Sequence, residues 1–96
     1  MRRSNFQQMG QVIDDFFKKS GLLQKFKETE LKENWNSIVG PLFAKSTKKI
    51  AIYNGVLFVT MDSPAIKNEI FLNRTKIIER LNSSVNQQII HDIVVK

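Results

Sequence analysis

Asn54-Gly55 separates two runs rich in β-forming residues, Ile50-Ala51-Ile52-Tyr53 and Val56-Leu57-Phe58-Val59-Thr60-Met61. No other pair in the chain restricts the fold so tightly. A two-residue hairpin loop takes a type I′ turn, whose central residues both need positive φ, and Asn-Gly meets that need at little steric cost. The loop length then fixes the register. Tyr53 faces Val56, Ile52 faces Leu57, Ala51 faces Phe58 and Ile50 faces Val59. Side chains alternate along a strand, so one face carries Ile50, Ile52, Leu57, Val59 and Met61. The other carries Lys49, Ala51, Tyr53, Val56, Phe58 and Thr60.

Helical periodicity surrounds this hairpin. Met9, Val12, Ile13, Phe16, Phe17 and Ser20 follow the spacing of an amphipathic helix, with Gly21 as its stop. Leu22, Leu23 and Phe26 suggest a further helical turn. A second stripe runs Leu31, Trp35, Ile38, Val39, Leu42. Trp35 lies at its centre and reads as core, with an indole N–H that needs one hydrogen-bond partner when buried. Gly40-Pro41 predicts a kink or break, with Leu42 and Phe43 still facing inward. The glycine is also a place for close backbone approach beside the indole. After the hairpin, Asp62 or Ser63 caps a helix that opens on Pro64 and extends to about Asn82. Ile89-Ile90-His91-Asp92-Ile93-Val94-Val95 reads as a third strand.

The expected fold class is therefore α+β, in the order α-α-β-β-α-β. A three-stranded sheet packs against one long helix, with the N-terminal helices alongside. The 96 residues suit one domain spanning 1–96. There is no cysteine, which excludes disulfides and thiolate metal sites and fits a reducing cytoplasm. No stretch approaches the ~18 consecutive apolar residues of a membrane span, and no signal peptide is visible.

Fifteen Lys and Arg against nine Asp and Glu give a net charge of +6. Such a balance points to nucleic acid first and to an acidic protein surface second. Enzymatic machinery is hard to assemble. His91 is the single histidine and lies in the predicted third strand. The glycines at 10, 21, 40 and 55 are too scattered for a phosphate-cradling loop or a Gly-x-x-Gly clamp. No metal-ligand spacing occurs, and neither cofactor nor metal is expected.

Three groups remain as candidate nucleic-acid contacts. Tyr53 and Phe58 with Lys49 combine aromatic rings and charge on one hairpin face, the combination that stacks single-stranded bases; the alternative is a helix covering that face. Lys67 and Arg74 project together into the apolar sector of the long helix. At ~100° per residue, Ile66, Ile70, Ile77 and Leu81 of that sector share an arc of roughly 60°, which Phe71 and Ile78 extend. Lys67 and Arg74 either snorkel from the core edge or form a basic ridge beside the sheet. The pairs Lys18-Lys19 and Lys48-Lys49 add charge at element ends, and a solvated surface is the plain alternative. Lys76 and Arg80 fall on the other side with Glu69 and read as solvated.

Taken in order along the chain, Arg2-Arg3-Ser4-Asn5, Gly21-Leu22, Trp35-x-x-Ile38-Val39-Gly40 and Ala44-x-x-Thr47 resemble the DciA family. So do Asn54-Gly55-x-Leu57-x-Val59, Asp62-Ser63, Lys67-Asn68-Glu69-Ile70, Lys76-Ile77-Ile78 and Leu81-Asn82. The resemblance covers nearly the whole chain, in the short single-domain form of the family. Ser46 stands where many members have histidine, and Ile66 or its neighbours where many have tryptophan. The resemblance implies a KH-like fold and a role in DNA replication as a loader or operator of the replicative helicase. It implies contacts with DNA, single-stranded or duplex, and with the helicase, and no ATPase. The expected function is thus non-enzymatic DNA binding coupled to that helicase. An RNA-binding KH-like module and a basic protein–protein adaptor are the alternatives.

Overall fold

The turn at Asn54-Gly55 forms as the sequence requires. In the computed structural model, which describes residues 12, 15 and 19–96, β1 (Thr47–Tyr53) and β2 (Val56–Met61) pair antiparallel. Asn54 has φ 49° and Gly55 φ 77°, so both central residues sit in the left-handed region of a type I′ turn. Tyr53 pairs with Val56, Ile52 with Leu57, Ala51 with Phe58 and Ile50 with Val59, which is the expected register. The pairing jumps from Thr47–Met61 to Lys49–Thr60 and leaves Lys48 as the extra residue of a bulge.

β3 (Asp92–Val95) joins the free edge of β2 in parallel, giving the order β1-β2-β3. Parallel neighbours need a long crossover, supplied by the helical segment from Pro64 to Ser84. The strand is shorter than its sequence suggested. Ile89, Ile90 and His91 precede it, yet Ile89 and Ile90 are buried. The buried Asn82 amide takes the place of a strand partner. Its Oδ1 accepts the N–H groups of Ile89 and Ile90, both at 3.0 Å, and its Nδ2 donates to the Ile90 carbonyl at 2.8 Å. His91 anchors the end of this loop to the turn, its N–H donating to the Gly55 carbonyl at 2.8 Å.

α1 (Leu22–Val39) and the short α2 (Pro41–Ser46) lead into the sheet. Residues 12, 15, 19 and 20 are also helical. Met9, Ile13, Phe16 and Phe17 of the predicted first stripe lie outside the described residues. Leu22, Leu23 and Phe26 form the first turns of α1, and Phe26 is exposed. Farther along α1, Leu31 and Trp35 are fully buried, and Ile38, Val39 and Phe43 pack against the same core. The Trp35 Nε1–H donates to Thr47 Oγ1 at 3.0 Å, and that hydroxyl donates onward to the Phe43 carbonyl at 2.9 Å. One part-buried polar chain thus joins α1, α2 and β1.

Gly40 ends α1 with φ 90° and ψ 167°, a conformation that residues with a Cβ avoid. Nothing lies within 4 Å of where its Cβ would be. Its role is therefore the break itself, not close approach to another backbone. Pro41 then occupies the first position of α2, where its missing N–H costs nothing. The break rotates the stripe, so Phe43 stays against the core while Leu42 turns out to 67% exposure. The expected inward position of Leu42 is corrected accordingly.

The single long helix expected after the hairpin is two, α3 (Pro64–Leu72) and α4 (Arg74–Ser84). Ser63 caps α3 by accepting the Ile66 N–H, and Pro64 opens it. The interruption falls at Asn73, whose side chain donates to the Glu69 carbonyl at 2.8 Å. Such a local side-chain bond competes with regular helix geometry. The apolar stripe survives the interruption, with Ile70, Ile77 and Leu81 buried and Ile66 and Ile78 packed on the core. Phe71, expected to extend it, is 55% exposed.

Two stability measurements check this account. Trp35→Ala should cost about 3–5 kcal/mol in a denaturant melt, as for other large buried aromatics, and Thr47→Val about 1–3 kcal/mol through the orphaned indole N–H. At Gly55, a Cβ would meet His91 Cδ2 at 2.7 Å as well as an unfavourable positive φ. Gly55→Ala should therefore destabilise the fold, and adding His91→Ala should recover the steric part only. The residual loss should be about 1–2 kcal/mol, the cost of the left-handed conformation.

Candidate nucleic-acid interface

Alternation along the strands sorts the sheet into two unlike faces. Leu57, Val59, Met61 and Ile93 are buried on the inner face beneath the helices. Lys49, Ala51, Tyr53, Phe58, Thr60 and Lys96 line a shallow groove on the outer face. All of these residues come from the strands or directly follow β3, so among the described residues no helix contributes to the groove. Tyr53 is 70% exposed at one end, and Phe58 forms part of the floor. The Lys96 Nζ lies 5.3 Å from the Phe58 ring centroid, within cation–π range.

No sequence motif marks Lys96. It is held by continuation of the β3 ladder, its N–H donating to the Val59 carbonyl at 2.8 Å and its carbonyl accepting the Met61 N–H at 3.0 Å. The only advance signal was alternation: Lys96 stands two residues after Val94, the strand partner of Phe58. Recognising it required the parallel pairing of β3, which no local motif announces.

The other sequence-derived candidates are dispersed. Lys48 sits on the bulge, and its ammonium lies 3.1 Å from Asp62 Oδ2. Asp62 Oδ1 accepts the Ser46 hydroxyl at 2.6 Å. The Ser46 bond first, and Lys48 second, hold the Asp62 carboxyl below the usual carboxylate range. Lys48 therefore has its charge matched within the fold, whereas Lys49, one residue on, faces the groove.

Lys67 lies half-buried on α3 and is not among the groove residues. The Arg74 guanidinium donates to the Phe71 carbonyl at 3.2 Å and stacks at 4.3 Å over the Phe71 ring. The interruption at Asn73 removes the continuous helix that aligned Lys67 with Arg74. Lys19 is helical and exposed and is not among the groove residues, and Lys18 lies outside the described residues. His91 is placed structurally, with its ring nitrogen 3.2 Å from the Asn54 carbonyl.

Among the described residues, no three His, Asp or Glu side chains are grouped to hold a metal ion. No helix there is long and apolar enough to cross a membrane. What the outer face can do chemically is stack planar rings and neutralise phosphates.

The Asp62 cluster gives a pH test. A carboxyl whose pKa is depressed on folding adds stability above its unfolded pKa, and that contribution is lost as the pH falls through the folded value. In an NMR titration, the Asp62 carboxyl should turn over below the ordinary aspartate range. Ser46→Ala should raise that midpoint more than Lys48→Met, because the half-exposed ion pair is screened by solvent.

The model of the DciA family, described as Dna[CI] antecedent, matches residues 8–95. The chain belongs to this family, which is linked in general to loading of the replicative helicase. No curated protein matches the sequence.

Proposed function

We propose that this DciA-family chain is a non-enzymatic binder of single-stranded DNA that couples binding to loading or operation of the replicative helicase. The observation that carries the DNA part is the outer sheet face, which no helix covers among the described residues and where Tyr53 and Phe58 stand among Lys49 and Lys96. Rings stack on bases of any sequence while cations follow the backbone, so such a face favours single strands over duplex. The net charge of +6 raises the encounter rate with any polyanion. The helicase part rests on family membership. We read the architecture as KH-like, supported by a three-stranded sheet with an antiparallel hairpin and a parallel strand reached through helices. A cytoplasmic setting accords with the absence of cysteine.

A salt titration with single-stranded DNA, duplex DNA and RNA of matched length tests the reading. Single-stranded DNA should bind tightest. Tyr53→Ala should weaken it by about 1–3 kcal/mol, the value of one lost stack, with a smaller effect on duplex. Replacing Lys49 and Lys96 by Ala should lower the slope of log K against log salt by about 0.7 per contact on single strands. Lys48→Ala should change little, because Asp62 already matches that charge. Tighter RNA binding would favour the RNA-binding alternative. Binding to helicase but to no nucleic acid would leave a protein adaptor. A slope that responds to Lys67→Ala with Arg74→Ala, but not to Lys49 and Lys96, would move the site to the helix ridge.

A further inference from the structure

A second groove lies in the helical layer, between α1, α2 and α4. Ile38 and Val39 of α1, Phe43 of α2, and Asn73, Lys76, Ile77 and Arg80 line it. Its floor is fixed, since Ile77 belongs to the core and Ile38, Val39 and Phe43 pack against it. Its rim is basic. Lys76 and Arg80 are exposed, and neither makes an ion pair or hydrogen bond among the described residues. Leu42 and Leu72, sequence neighbours of Phe43 and Asn73, are each 67% exposed. The sequence alone placed Lys76 and Arg80 on a solvated face; the packing of α4 beside α1 gives them an apolar floor.

Three features select the occupant. Three of the four floor side chains are aliphatic, and the one ring, Phe43, is packed against the core, whereas the sheet face presents Tyr53 70% exposed to a stacking base. The rim cations stand four residues apart on one helix, so their Cβ atoms are about 5–6 Å apart. That spacing matches two carboxylates one turn apart on a facing helix. An apolar trough between packed helices accepts a further amphipathic helix, anchored by residues of its apolar stripe. We propose that this groove docks an amphipathic helix with an acidic flank, presented by the protein partner. This rests on the reading above, in which that partner is the replicative helicase. The two grooves then divide the work, with the sheet face holding the strand and the helical layer holding the helicase.

The test compares Lys76→Glu/Arg80→Glu with Lys25→Glu/Lys45→Glu, exposed pairs that give the same net charge. Each variant and the wild type is measured for binding to the purified cognate helicase and to single-stranded DNA, with a thermal melt to verify folding. The groove variant should bind helicase at least about tenfold more weakly than the control, since like charges facing across an interface cost more than one decade of affinity. Its DNA binding should equal that of the control. If wild type binds helicase and both variants bind it equally, the groove assignment is overturned while helicase coupling stands. If wild type does not bind helicase, the coupling falls and takes the assigned occupant with it. If the groove variant loses DNA binding beyond the control but keeps the helicase, the groove is a nucleic-acid site and the proposal is wrong.

Discussion

A one-residue slip at the Asn54-Gly55 turn would exchange the two faces of the sheet. Leu57 and Val59 would turn to solvent, and Phe58 would turn inward. The positive φ values of Asn54 and Gly55 and the contact of His91 with the same turn oppose that slip. So does the burial of Leu57, Val59 and Met61 beneath the helices. The division of the sheet into a core face and an outer face follows from this single choice of register.

The inner face is closed from both ends of the chain. On the N-terminal side, Trp35 fills the space over the sheet, and its hydrogen bond to Thr47 ties the helix to the first strand. On the C-terminal side, the Asn82 amide holds Ile89 and Ile90 in the core and delivers the chain to β3. Both devices satisfy polar atoms that burial would otherwise penalise. With the helices on the inner face, the described residues leave Tyr53 on the outer face exposed. The bulge at Lys48 refines that face, sending one lysine to Asp62 while its neighbour Lys49 lines the groove.

Much of this was legible in the sequence. Turn type, hairpin register, the buried Trp35, the Ser63-Pro64 helix start and the α+β class all follow from local patterns. Other features depended on tertiary packing or on side-chain competition. Asn73 carries too weak a signal to announce an interrupted helix, because the competing bond from its own amide is a matter of geometry. Leu42 continues a helical stripe on paper, but the Gly40 break turns it away. Lys96 and the groove beside Lys76 and Arg80 needed the parallel strand and the packed helices. The Lys48–Asp62 pair depends on the bulge, which shifts Thr47 from opposite Asp62 to opposite Met61 and which no local motif announces.

The central claim is that nucleic acid lies on the open face of the sheet. Two-dimensional NMR of the labelled protein, titrated with a short single-stranded oligothymidine, tests it residue by residue. The account predicts that the resonances of Lys49, Ala51, Tyr53, Phe58, Thr60 and Lys96 shift together, with ring signals moving upfield as bases stack. Those of Trp35, Lys76 and Arg80 should stay in place. Shifts gathered around Lys67 and Arg74, with the sheet face silent, would contradict it.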